Sequence, residues 1–288
     1  MREAETIESL VAEISKLRTE LAEVRSLVGP VGIYVGNNRL IVQTIHGIKY
    51  IVYADDVLIT PNLVVYRNWE PNVSNLLYTL LDKDTLFIDV GANFGYFSCL
   101  AAHIIGNTSS GSVIAVEPNS GLTQLLKDNL LINWSLAPIK IEKVAASDAP
   151  GFLTLEIPDG RAGNAHIITS QSRASTNGRS HVIVPVVTVD SLVDFPTDAS
   201  KKIVIKIDVE GFELSVLKGM TKLIQECSNL QIILEWSPLQ MFDLGVSLDE
   251  VTEFFSANKF SLFDIERNKK LRIEDLKTTA YTNLLLTK

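Results

Sequence analysis

Asp89, Gly91, Asn93 and Gly95 lie within a span of seven residues, and their types suit ligand binding better than core support. Gly91 and Gly95 let the backbone turn sharply and let a ligand approach it closely. These glycines are four apart with an acid two residues ahead of the first, whereas a dinucleotide-binding turn needs G-x-G-x-x-G. A carboxylate at Asp89 repels a pyrophosphate and suits a ligand that is cationic or rich in hydroxyls. Glu117, twenty-two residues beyond Gly95, ends the apolar run Val113 to Val116. A carboxylate at that position accepts from both hydroxyls of a ribose. S-adenosylmethionine meets both demands, with a sulfonium and an ammonium at one end and a ribose in the middle.

The third cluster is the run from Ile203 to Glu213, which holds Lys206, Asp208, Glu210 and Glu213. Period-two alternation sets Lys206 and Asp208 on one face of a strand, with Asp208 at its carboxyl end, where open α/β sheets bind ligands. A charged pair among isoleucines and valines is costly unless it has a partner or a task. The pair therefore reads either as reaction-centre groups or as a structural ion pair. Glu235, closing the run Ile232 to Leu234, supplies another acid at a strand end and can face Asp208 across the site. His166 stands beside a polar insertion as a possible base, while His46, His103 and His181 have no companions that single them out.

The elements that must position these groups follow from hydrophobic period. The spacing predicts strands over Thr85 to Val90, Ser112 to Glu117, Ile139 to Ala145, Ile203 to Asp208 and Gln231 to Trp236. It predicts helices near Val73 to Leu81, after Gly95, after Pro118, over Phe212 to Glu226 and over Asp249 to Asn258. Alternation of this kind builds a parallel sheet. Phe260 to Glu266 and Tyr281 to Thr287 read as a closing antiparallel hairpin. Upstream, Ile33 to Val35, Leu40 to Val42, Ile48 to Val52 and Leu63 to Val65 read as the strands of a small antiparallel cap. Between Phe152 and Val189 the chain inserts strand-like pieces around Thr169 to Gly178, a polar small-residue stretch that reads as a mobile loop or a lid.

The N-terminal segment is a heptad ladder, with Ile7, Ile14, Leu21 and Val28 at one position and Leu10, Leu17 and Val24 three residues after the first three. In a parallel pair Glu13 faces Arg18 of the partner and Glu20 faces Arg25, so the ladder predicts a homo-oligomer through residues 7–28. An amphipathic helix lying on its own domain is the other reading. Gly29-Pro30 stops the helix in either case.

With 288 residues and 46% hydrophobic content, the chain can bury one sizeable core. A net charge of -8 argues against nucleic acid, whose binding needs clustered Lys and Arg. Cys99 and Cys227 sit in apolar surroundings, which predicts buried thiols and a reducing, cytoplasmic setting. No apolar run reaches the roughly 18 residues of a membrane span. Met1-Arg2-Glu3 lacks the layout of a signal peptide, so an unexported protein is expected.

From about Asn62 to Leu286 the chain resembles the FkbM family of S-adenosylmethionine-dependent O-methyltransferases. The resemblance is carried by Phe87 to Gly95, by Val116-Glu117-Pro118, by Ala146-Ser147-Asp148 and by Lys206 to Glu213. It implies a Rossmann-like class I methyltransferase fold, α/β with a mostly parallel sheet and an antiparallel C-terminal edge strand. The β cap and the N-terminal coiled-coil helix precede that domain, dividing the chain into 1–28, 31–75 and 76–288. It also implies that Asp89, Gly91, Asn93 and Gly95 surround the methionine end of the cofactor, Glu117 the ribose, and Ser147 and Asp148 the adenine. Trp69-Glu70 matches an aromatic-Glu pair ahead of the first helix of such proteins, with Asn68 where a glycine is frequent.

The expected reaction is in-line attack of a hydroxyl of a sugar or secondary metabolite on the sulfonium methyl group. Asp208, Glu210 and Glu235 are the candidate bases or ligands for Mg²⁺, and Lys206 the holder of the oxyanion. Two rivals remain open on the sequence. One is a nicotinamide-dependent oxidoreductase, disfavoured by the glycine spacing. The other is a non-catalytic oligomeric scaffold that keeps the cofactor pocket.

Overall fold

The computed structural model describes residues 2–27, 32–107, 110–134, 136–158, 166–168, 179–194 and 201–288. It opens with α1 (Arg2–Leu27), then β1 (Gly32–Gly36), β2 (Arg39–Gln43), β3 (Lys49–Tyr53), α2 (Ile59–Tyr66) and α3 (Pro71–Leu80). An alternating stretch follows: β4 (Leu86–Val90), α4 (Tyr96–Ile105), β5 (Ser112–Val116), α5 (Ser120–Leu131) and β6 (Ile139–Glu142). Then come β7 (Ala145–Ala146), β8 (Gly151–Pro158), β9 (His166–Ile168) and β10 (Arg179–Val187). The remainder is β11 (Ile203–Ile207), α6 (Glu213–Lys218), α7 (Thr221–Glu226), β12 (Leu230–Trp236), α8 (Pro238–Asp243), α9 (Leu248–Ala257), β13 (Ser261–Asp264), β14 (Lys269–Leu271) and β15 (Thr282–Thr287).

The central sheet has eight strands in the order β14-β13-β15-β12-β11-β4-β5-β6. β12, β11, β4, β5 and β6 are parallel, and β15, β13 and β14 extend the sheet antiparallel, as the sequence predicts for its C-terminal edge. The chain leaves β4 toward β5 and β6 on one side, then returns to lay β11 and β12 on the other. This reversal opens a crevice at the carboxyl ends of β4 and β11, where such sheets bind ligands.

Alternation along the strands sorts the core into two faces. Leu86, Ile88, Val90, Ile203, Ile205 and Ile207 pack on one side with Leu214, Leu217, Leu223 and Phe255. Phe87 and Val204 face the other side with Leu77, Phe97, Leu100 and the cap residues Val42, Tyr50 and Val52. Asp89 and Lys206 are register partners across the β4–β11 ladder, and their side chains belong to this second face. α5 ties the cap to that face through Asn129. Its side-chain oxygen accepts from Ile51 N–H at 2.6 Å, and its amide nitrogen donates to the carbonyls of Ile51 and Phe94 at 3.2 and 2.8 Å.

Four details depart from the sequence reading. Leu63 to Val65 is helical, within α2, because the Asp56 carboxylate accepts from the N–H groups of Ile59 and Thr60 at 2.9 and 2.5 Å and starts a helix there. The strand expected to end at Ala145 divides. β6 stays in the central sheet, whereas β7 pairs in parallel with Val186 and Val187 of β10 in a second, four-stranded sheet ordered β7-β10-β8-β9. Helix formation over Phe212 to Glu226 is broken between α6 and α7, and β14 adds a hairpin beyond β13.

α1 is helical, and Leu10, Ile14, Leu17, Leu21 and Val24 on it are all exposed. Val28, the Gly29-Pro30 stop and the polar stretch 169–178 lie outside the described residues. No described helix is long and apolar enough to cross a membrane. Cys99 and Cys227 are both buried.

Candidate functional site

At the switch point lies a cavity of about 370 Å³, within the usual range for small-ligand sites. Its wall includes Gly91, Asn93 and Glu117 from the ends of β4 and β5, Lys206 from β11, Asp208 and Glu210 from the turn that follows it, Glu235 from β12, and Glu70 from the turn before α3. Five carboxylates thus meet one lysine, and Lys206 is the only cation in the described lining. Asp89 and Gly95 stand behind this wall. Ser147 and Asp148 follow directly on Ala145 and Ala146, which line the cavity, without lining it themselves. Ser147 Oγ donates to Asp148 Oδ1 at 3.0 Å, and Asp148 is exposed.

The first turn has no spare N–H groups to offer an anion. Gly91 and Ala92 N–H both donate to the Val116 carbonyl at 3.0 Å, Asn93 N–H to Glu117 Oε2 at 2.9 Å, and Phe94 N–H to Asn93 Oδ1 at 2.8 Å. A pyrophosphate needs such groups free. Gly91 has φ +85°, and a Cβ there would lie 1.8 Å from the Asp208 carbonyl oxygen, so only glycine lets β4 and β11 end together. Gly95 serves packing, since its Cβ would sit 2.7 Å from Leu126 Cγ.

Charge is held at this point at a cost. Asp89 is buried, with Oδ2 accepting from Ser98 Oγ at 2.6 Å and Oδ1 lacking any partner. Burial pushes its carboxyl up, against the pull of Lys206 and Ser98. Lys206 Nζ lies 2.6 Å from Asp208 Oδ2 and 4.6 Å from the centre of the Phe97 ring. Burial would lower its ammonium, but Asp208, Glu70 and Asp89 outweigh that and hold it charged.

Glu117 also accepts from Asn119 N–H at 2.8 Å, and burial pushes its carboxyl to about 7 despite both donors. Each of its oxygens keeps a lone pair free. Burial likewise raises Glu70, which Asn283 Nδ2 approaches at 3.5 Å.

The far wall is built on Glu210, Glu235 and Tyr281. Tyr281 Oη donates to Glu235 Oε1 at 3.0 Å, and Gln240 Nε2 donates to Glu210 Oε2. Burial, with Asp208 and other acids nearby, drives Glu235 far up and Glu210 to about 7. Glu213 supports this wall from behind, its Oε1 accepting from Val209 and Gly211 N–H at 3.2 and 3.1 Å. Glu70, Asn93 and Glu210 all have left-handed backbone, at φ +41°, +54° and +57°. Strained residues of this kind gather where geometry serves a ligand.

Sequence reasoning brought the acids and Lys206 to one place, but missed Tyr281 and Gln240. Tyr281 directly precedes β15, and the Glu235–Asn283 register that brings it beside Glu235 is set by a pairing distant in sequence. Gln240 belongs to α8, which carries no strong periodic signal. His46, His103 and His181 are not in the lining; His181 Nε2 instead meets Glu156 at 3.1 Å in the second sheet. His166 lies in β9. Among the described residues no group of three or more His, Cys, Asp and Glu is arranged to hold a metal ion, so the expectation of Mg²⁺ gains no footing here.

The chain is similar in sequence to known methyltransferases. Residues 89–262 match the Methyltransferase FkbM domain. Hexuronic acid methyltransferase AglP of Haloferax volcanii is 29% identical over 194 residues, covering 67% of this chain and 70% of its own. Methyltransferase sdnD of Sordaria araneosa is 25% identical over 181 residues, 55% of this chain and 69% of its own. Among solved structures, M. jannaschii TYW2 in complex with AdoMet superposes at a TM-score of 0.40 with 11% identity, over 90% of this chain and 91% of that one. The matched segment runs from the Asp89 turn through Glu117, Lys206, Asp208 and Glu235, and on that match the chain belongs to the FkbM methyltransferase family.

Proposed function

We propose that the chain transfers the methyl group of S-adenosylmethionine to a hydroxyl oxygen of a sugar or secondary metabolite. The observation that carries this reading is the switch-point cavity, in which five carboxylates meet a single lysine beside a turn whose N–H groups are already taken. Such a wall favours a cationic, ribose-bearing ligand and disfavours a pyrophosphate. The partnerless Asp89 Oδ1 adds a buried acceptor behind the same turn.

When bound, S-adenosylmethionine supplies an electrophilic methyl carbon. In this reading Asp89, Gly91, Asn93 and Gly95 frame its methionine end, with Glu70 near the ammonium. Glu117 offers its remaining lone pairs to the ribose, and Ser147 and Asp148 adjoin the adenine. Asp208 accepts the hydrogen bond of the acceptor hydroxyl and takes its proton as the oxygen attacks. Lys206, held charged, steadies the developing oxyanion, while Glu210 and Glu235 orient the acceptor. Trp69, Phe97 and Leu122 thin the water in the cavity, which favours a step in which charge is cancelled. Alignment of two reactants can contribute roughly 7 to 11 kcal/mol. The hexuronic acid methyltransferase relative supports a sugar as the acceptor class.

Titration calorimetry with S-adenosylmethionine tests the cofactor site. Micromolar binding is expected, weakened at least tenfold in Glu117→Ala and in Asp89→Ala. Unchanged affinity in both variants would refute the site. Methyl mass gain on a panel of hydroxyl acceptors tests turnover, and binding without turnover on any of them would favour a scaffold. The exposed apolar stripe of α1 suits a pairing of two chains, with 31–75 as a cap on the 76–288 domain. Deleting residues 1–28 should then lower the mass in light scattering and leave cofactor affinity intact.

A further inference from the structure

The acceptor side of the cavity carries more lone pairs than donors. Glu235 is only 9% exposed; its Oε1 takes the Tyr281 hydroxyl, and its Oε2 has no partner. Gln240 spends its amide N–H on Glu210, and its own buried Oε1 has no partner either. Both residues line the cavity, as does Glu210. The one cation in the described lining, Lys206, is already engaged by Asp208 and seated over Phe97. A buried acceptor without a donor is a rare feature in folded proteins, and here two of them belong to residues that line one cavity.

From this geometry we infer that the acceptor is an aminated polyol, an amino sugar or amino alcohol whose ammonium is received by Glu235 and Glu210 beside the reacting hydroxyl. The inference rests on the methyl-transfer reading and narrows its substrate class. A neutral polyol supplies hydroxyl donors but leaves Glu210 and Glu235 with no cation across from them. A uronate adds a further anion to a wall that already bears three carboxylates, from Asp208, Glu210 and Glu235. An ammonium supplies both the N–H donors that Glu235 Oε2 and Gln240 Oε1 lack and the charge that their surroundings lack. Burial and the neighbouring acids Asp208, Glu213 and Glu210 hold the Glu235 carboxyl far above its ordinary range, and an adjacent cation relieves that.

The test compares the methyl glycosides of glucosamine, N-acetylglucosamine and glucuronic acid at saturating S-adenosylmethionine, with methyl transfer read by mass gain. Glucosamine is expected to exceed each of the other two at least tenfold in kcat/KM. In Glu235→Gln, and separately in Glu210→Gln, that preference should shrink to threefold or less. Equal rates, a preference for the acetylated or acidic sugar, or no transfer to any of the three by a protein that binds S-adenosylmethionine would each overturn the inference alone. Failure of the wild-type protein to bind S-adenosylmethionine in calorimetry would overturn the methyl-transfer reading and this inference with it.

Discussion

The backbone carbonyl of Asp208 occupies the space a side chain on Gly91 would need, 1.8 Å from the position of its Cβ. The turn after β4 and the end of β11 are thereby locked together, although more than a hundred residues separate them. Gly91→Ala must both displace that carbonyl and hold alanine at φ +85°. The backbone term alone is roughly 1 to 2 kcal/mol. A loss of more than about 2 kcal/mol in urea denaturation is expected, with cofactor affinity falling in whatever remains folded. A change below 1 kcal/mol would mean that the two ends move independently.

Lys206, itself buried, is the counter-charge for the buried Asp89 and the half-buried Asp208 and Glu70. Removing one partner of a buried ion pair typically costs about 3 to 5 kcal/mol, because the other is left uncompensated. Lys206→Met is expected to lose stability on this scale, since it strands Asp208, Asp89 and Glu70 together. Adding Asp208→Asn should restore part of the loss. If the double variant is no more stable than Lys206→Met, the pairing at 2.6 Å contributes less than its geometry suggests.

The parts of the site legible in the sequence share one physical property, that local composition decides them. Apolar runs bounded by glycine or an acid set the ends of β4, β5 and β11, so Asp89, Glu117, Lys206 and Asp208 fall where period and strand order require. Distant pairings decide what stayed hidden. Ala145 leaves the central sheet because β10, some forty residues on, offers it a partner. Leu63 to Val65 has strand-like composition, yet the Asp56 carboxylate satisfies the first N–H groups of a helix there. Tyr281 reaches Glu235 only through the antiparallel fit of β15 on β12.

Stability should fall as pH rises from acid toward neutral. Burial places the carboxyls of Glu117, Glu210 and Glu213 at about 7 in the folded protein, against 4.5 ordinarily. Between those values the native state holds more protons than the unfolded one, so the unfolding free energy declines with pH across that window. Asp264 works the other way: hydrogen bonds from Arg267 and Thr282 outweigh its burial and hold it below 3.8, so its contribution is lost only in stronger acid. The ligand-free protein is therefore expected to have its highest Tm near pH 5 and a lower one at pH 8. A Tm that climbs steadily from pH 5 to 8 would contradict the burial of these acids.

Glu210 combines a strained backbone with a half-buried carboxyl raised by desolvation, so its presence is better explained by ligand binding than by stability. At φ +57° the left-handed conformation costs a non-glycine residue roughly 1 to 2 kcal/mol, which glycine avoids, in part offset by the greater freedom of glycine when unfolded. Glu210→Gly measured at pH 8, where the carboxyl is ionised, is expected to gain about 1 kcal/mol while methyl transfer falls at least tenfold. Lys259→Gly provides the control. Its φ of +58° matches, but it is exposed at the end of α9 and away from the cavity. It should be stabilised by a similar amount with turnover unchanged. If Glu210→Gly loses stability where Lys259→Gly gains it, the glutamate is a structural support for the turn, and the strain there is no sign of a ligand.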